Sequence, residues 1–132
     1  MEGKKLAKVK KLFVENYYRK FLESQKNRIQ SNYPDFWKQL NEQEALEWID
    51  SVVIDAKKLD FGNEFLIEGY LDIVCKIGKD FITNPAVEDN IVKFISDSNF
   101  SPYVRVRDTN RYIDRNSSKL TYPVPSDFKE NK

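Results

Sequence analysis

Two sets of carboxylates in this chain have spacing that suggests chemistry. Asp35, followed by Asp55 and Lys57, reproduces the order of an acid and then an acid-x-Lys pair, which in a metal-dependent nuclease converges on a magnesium ion. Glu64, Glu68 and Asp72, at steps of four, could lend carboxylates to a metal held between helices. Both sets lack a required part. The nuclease order works when its acids and lysine sit on adjacent strands, whereas Asp55 and Lys57, two apart on a predicted helix, point away from each other. A carboxylate bundle needs Glu-x-x-His support, and the chain has no histidine. That lack also removes the commonest general base and the usual triad partner. A single cysteine, Cys75, excludes a clustered thiolate site, and no carboxylates follow calcium-loop spacing. Gly3, Gly62, Gly69 and Gly78 stand singly rather than as a phosphate-binding loop. The expectation is a protein that is not an enzyme and has neither cofactor nor metal.

The elements that position these residues read as helices. From about residue 4 to 29, Leu6, Val9, Phe13, Tyr17 and Phe21 recur at three and four, with Leu12, Val14, Tyr18 and Leu22 widening the apolar surface. Such width suggests contact on two sides, including a homodimer through this helix. Pro34 breaks the chain after Tyr33 and starts a short helix through Leu40. Asn41 with Glu44 resembles a capping box ahead of a helix over about 41–59, with Ala45, Ile49, Val52, Val53 and Ala56 inward. Gly62 is expected to supply the left-handed turn, and Asn63 to cap a helix over about 63–77. There Ile67, Tyr70, Leu71, Val74 and Ile77 face inward, leaving Glu64, Glu68 and Asp72 as an exposed row. Cys75 reads as a small buried thiol. Gly78 ends that helix, Phe81 and Ile82 pin the link to the core, and Asn84-Pro85 opens a helix over about 84–96 with Val87, Ile91, Phe94 and Ile95 inward. Tyr103-Val104-Arg105-Val106-Arg107 alternates like a strand or extended chain, with Asp108 capping one short helical turn. The fold class is therefore all-α, a single-domain bundle of four to five helices with an irregular Arg-rich C-terminal extension. Residues 1–116 form the helical domain and 117–132 a poorly ordered tail.

A chain of 132 residues that is 40% hydrophobic can bury one core and is too short for two ordinary domains. With 33% charged residues, no apolar run approaches the roughly 20 residues needed to span a bilayer, so no membrane contact is expected. Lys8, Lys10 and Lys11 interrupt what would be a secretion signal, and cytoplasmic location is the expectation. The net charge of +1 conceals an asymmetry. Residues 1–30 carry nine Lys/Arg against three Asp/Glu, residues 31–100 six against fourteen, and residues 101–132 seven against four. Either the basic ends fold back on the acidic middle, or the two signs attract different partners.

The segment Trp48-Ile49, Ala56, Glu64, Tyr70-Leu71, Gly78-Lys79-Asp80-Phe81, Asn84-Pro85, Ile91 and Ile95 resembles a loose group of small helical proteins. These are encoded beside type VI secretion spike and toxin genes in Gram-negative bacteria. The Gly-x-Asp-Phe-x-x-Asn-Pro link carries the likeness, which covers about 50 residues of caps and core positions. The resemblance implies a protein partner, a cognate toxin or effector, bound as an immunity protein or a loading adaptor, and no catalytic residues. On that reading Glu64, Glu68 and Asp72, reinforced by Glu44, Glu47 and Asp60 and by Trp37, would occlude a basic toxin cleft. The opposed reading has Lys4, Lys8 and Lys11 neutralise the same row within the molecule or across a dimer. A third reading is nucleic-acid binding through Lys8, Lys11, Arg19, Arg105, Arg107 and Arg111. The isoelectric point of 7.7 counts against it, because a dedicated binder lies above about 9.

Overall fold

The computed structural model describes the backbone of residues 2–116 and the side chains of residues 15–116. The tail expected at 117–132 lies outside the described residues. The fold is all-α: α1 (Glu2–Asn32), α2 (Pro34–Gln39), one 3-10 turn (Glu42–Glu44), α3 (Ala45–Lys58), α4 (Glu64–Ile77), α5 (Asp89–Ser96) and α6 (Pro102–Arg115). No strand occurs among the described residues.

The hydrophobic helix α4 is the axis. Leu66, Ile67, Tyr70, Leu71, Ile73, Val74, Cys75 and Ile77 are all buried, more than one stripe, because α1, α3 and α6 each lie against it. Asn63 caps it as expected, its side-chain oxygen accepting from the Leu66 amide at 2.8 Å. Before it, α3 buries the expected Ala45, Ile49, Val52, Val53 and Ala56 together with Trp48. Asn41 caps the 3-10 turn, accepting from the Gln43 amide at 3.1 Å, so α3 starts at Ala45 rather than at 41.

The turn out of α3 corrects the expectation for Gly62. Asp60, with φ of 67°, holds the left-handed position. The Phe61 amide donates to the Ala56 carbonyl at 3.0 Å and the Asp60 amide to the Lys57 carbonyl at 3.1 Å, which is the Schellman arrangement. Phe61, fully buried, is the apolar residue that anchors it.

Within α1 the inward residues are Phe21, Leu22, Gln25 and Ile29, with Tyr18 half-buried. Tyr17, expected on the inward stripe, is 59% exposed. After α4, Gly78 takes φ of 99° and donates to the Val74 carbonyl, and Phe81 is fully buried, whereas Ile82 is exposed. Asn84 does not open a helix. Its side chain accepts from the Ala86 amide and its carbonyl from Val87, closing a turn, so α5 begins only at Asp89. Val87, Ile91 and Ile95 are buried, and Phe94 turns outward.

The largest correction is α6. The alternating Tyr103–Arg107 segment is helix, started by Ser101, whose hydroxyl accepts from the Val104 amide at 3.3 Å, and by Pro102 in the first turn. Asp108 lies mid-helix. Val106, Thr109 and Ile113 face the core. α6 runs the same way as α4, with Tyr103 beside Phe65, Val106 and Asn110 beside Gly69, and Asp114 beside Lys76.

Gly69 allows that approach. A Cβ built there would lie 2.3 Å from Val106 Cγ1, and Asn110 donates to the Gly69 carbonyl at 3.0 Å. Gly69→Ala is therefore expected to destabilise the protein by about 1–3 kcal/mol. Adding Val106→Ala should recover part of that loss in urea unfolding; an additive double variant would refute the contact.

Candidate functional site

The acidic row of α4 is not a free face. Glu64 accepts from the Tyr17 hydroxyl at 2.6 Å, and Glu68 from the Gln25 amide at 2.8 Å. Asp72 accepts from Arg28 at 2.7 Å and from Tyr33 at 2.9 Å. Arg28 also donates to the Glu68 carbonyl at 3.1 Å and to Gln25 Oε1 at 2.9 Å. Gln25, 2% exposed, thus has both ends of its amide satisfied. The expected exposure of Glu68 and Asp72 is corrected: both are half-buried under the second half of α1. The neutralising cation is Arg28; the side chains of Lys4, Lys8 and Lys11 lie outside the described residues.

The other acids proposed for the same face do not form one cluster. Glu44 and Glu47 sit at the start of α3 and Asp60 just past its end, about 20 Å apart at 1.5 Å per residue. Trp37 is half-buried and packs against the core. The basic set is also dispersed. Arg19 pairs with Glu23 at 3.5 Å. Arg105 is a core residue, 8% exposed; its guanidinium lies 4.9 Å from the Phe61 ring centre and donates to the Ile95 carbonyl at 2.8 Å. Ile95 is in the last turn of α5, whose carbonyls lack helical partners and carry the negative end of the helix dipole, so this cation caps α5. Arg107 pairs with Asp108 and lies over Tyr103.

The nuclease-like order does not assemble. Asp55 pairs with Lys79 at 3.8 Å, Lys57 lies over Tyr18, and Asp35 is on α2. No group of three or more metal-ligating side chains forms among the described residues. Cys75 is buried as expected, and burial, aided by the Asp72 charge, pushes its thiol up from its ordinary 9.0. Tyr18, Tyr33 and Tyr70 are likewise raised from 10.0, first by burial and then by Asp50, Asp72 and Asp55 respectively.

What the structure does bring together is a groove between α4 and α6, a cavity of about 280 Å³. Phe65, Glu68, Gly69 and Asp72 form one wall, and Tyr103, Val106, Arg107, Asn110, Arg111 and Asp114 the other. At its head the Phe65 and Tyr103 rings stack, centres 5.4 Å apart and planes 24° off parallel, yet remain 61% and 48% exposed. Phe100 and Tyr17 are exposed as well, and Tyr17 bonds Glu64, the residue before Phe65. The sequence offers Glu68 and Asp72 for one partner and Arg107 and Arg111 for another, but neither their meeting in one groove nor Phe65 and Tyr103 at its head. The available signal was Ser101-Pro102, a helix start that would have set Tyr103, Arg107 and Arg111 in one row at steps of four. A second cavity, about 420 Å³, lies by Asp55, Lys58, Tyr70, Lys79 and Asp80.

The described residues form an all-α fold with an aromatic-headed cleft between the parallel helices α4 and α6. No protein-family model, no curated protein and no solved structure matches the chain. No helix of the described residues is long and apolar enough to cross a membrane.

Replacing Glu64, Glu68 and Asp72 together by lysine should lower unfolding free energy by at least about 2 kcal/mol, because charged hydrogen bonds become repulsions with Arg28; an unchanged urea midpoint would contradict the bonding described. The raised thiol and phenols set an alkaline limit. Below pH about 9 both folded and unfolded chains hold these protons and the stabilisation is full. As pH rises past 9.0 for Cys75 and 10.0 for the tyrosines the unfolded chain loses them first, so stability should fall. Urea midpoints measured from neutral to strongly alkaline pH check the sign.

Proposed function

We propose that the protein acts without catalysis, by recognising another protein through the α4–α6 groove, and that it does so as an immunity protein neutralising a cognate secreted toxin. The observation that carries recognition is the stacked, half-exposed Phe65–Tyr103 pair. Large aromatic rings left in water cost hydrophobic free energy that a partner recovers, and aromatic and arginine side chains dominate interface energetics. Arg107 over Tyr103 and Arg111 a turn further along place both types in one strip. The toxin-immunity role is supported by the resemblance of residues 48–95 to proteins of type VI effector clusters. The acidic row, engaged by α1, no longer supports it. Nucleic-acid binding is the weaker reading, since Arg105 is withdrawn into the core.

The test is affinity purification from the native host with wild type and a Phe65→Ser/Tyr103→Ser double variant, followed by expression of the recovered partner. A partner held by wild type alone, toxic when expressed by itself and harmless when co-expressed with this chain, is the expected result. A partner that is not toxic but whose export falls when this chain is deleted would replace immunity by a loading-adaptor role. Equal retention by both proteins would refute the groove as the docking site.

A further inference from the structure

Hydrogen bonding inside the groove is unevenly distributed, and the group left over says what the partner brings. Of its carboxylates, Glu68 accepts from Gln25, Asp72 from Arg28 and Tyr33, and Asp114 pairs with Lys76 at 2.8 Å. Arg107 pairs with Asp108 at 3.0 Å. Arg111, exposed and lining the same groove, has no hydrogen-bond or ion-pair partner among the described residues, and Arg115 continues its row one turn on in the same condition. The groove therefore has an apolar head at Phe65 and Tyr103, a floor of Gly69 and Val106, a carboxylate, Glu68, met by a neutral amide, and an unpaired guanidinium, Arg111, at its α6 rim.

We infer that the groove takes an acidic segment of the partner protein, anchored by one apolar or aromatic side chain against Phe65 and Tyr103, with a carboxylate reaching Arg111. This rests on the recognition reading above and reverses the sign of partner that the acidic row suggested. A bidentate carboxylate on arginine is the geometry that an unpaired guanidinium at a rim favours. From Tyr103 to Arg111 is about 12 Å along the helix. The acid lies about four residues from the anchor if the segment is extended, and about eight if it is helical. Phosphate would answer the same charge, but an oligonucleotide would need cationic side chains following its backbone, and Arg105 and Arg107 are engaged elsewhere.

The experiment is selection from a phage-displayed random-peptide library on the full chain, with counter-selection on Phe65→Ser/Tyr103→Ser. Enrichment of peptides that pair an aromatic or aliphatic residue with Asp or Glu at one of those spacings is expected, with affinity falling at least tenfold in Arg111→Glu. Arg111 is exposed, so its reversal does not threaten the fold. Enrichment of Lys/Arg-rich peptides that still depend on Phe65 would overturn the sign of the partner while leaving groove recognition standing. Peptides indifferent to Phe65 and Tyr103, or none enriched over counter-selection, would overturn both. Tighter binding of fluorescein-labelled oligothymidine than of any selected peptide, lost in Arg111→Glu, would assign the rim to nucleic acid and overturn the inference.

Discussion

The Arg28 guanidinium on Asp72 and on the Glu68 carbonyl is the interaction on which the rest of the arrangement depends. It lies where α1, the break before α2 and the second and third turns of α4 meet, and Tyr33 and Gln25 complete it. Because Arg28 and Asp72 are each about a quarter exposed, the pair is neither dry enough for desolvation to cancel its attraction nor wet enough for water to screen it away. It fixes α1 in rotation and in register: Tyr17 reaches Glu64, Gln25 reaches Glu68 and Arg28 reaches Asp72, so the two helices run the same way. With α1 on one side of α4, α6 closes against another, and the remaining seam between α4 and α6 is the groove.

Glu68 and Asp72 belong both to the α1 contact and to the groove wall, so a partner in the groove meets them with their hydrogen bonds to α1 already made. The acidic side of α4 is engaged from within by neutral donors and one arginine, while Phe65, one residue past the start of the helix, turns toward α6 and stays in water. Gly69 sets how closely α6 approaches, since its missing side chain admits Val106. A second long-range device holds α6 and α5 together: Arg105, buried over Phe61, caps the end of α5. Helix-terminal carbonyls can thus hold a core cation in place of a carboxylate.

Local signals in the sequence were legible where one residue decides the outcome. Asn63 as a cap, Pro34 as a helix start, Gly78 as a stop and the inward faces of α3 and α4 follow from spacing and side-chain chemistry. They failed where two local signals compete. Tyr-Val-Arg-Val-Arg has strand alternation, but Ser101-Pro102 starts a helix and the packing of Val106, Thr109 and Ile113 keeps it. Asp60 rather than Gly62 takes the left-handed position because burial of Phe61 fixes where the chain must turn. The site was the least legible part. The row Glu64, Glu68, Asp72 was visible, but its partners come from α1, far off in sequence, and stacking of Phe65 on Tyr103 exists only once α6 is a helix beside α4.

The measurement that tests this account most directly is a double-mutant cycle between Arg28→Met and Asp72→Asn, read as unfolding free energy in urea. Methionine keeps the aliphatic stem and asparagine the shape, so the cycle isolates the charged bond. A coupling of about 1.5 kcal/mol or more is predicted. Additivity within about 0.5 kcal/mol would contradict it, since Arg28 and Asp72 would then hold α1 to α4 no better than their neutral replacements.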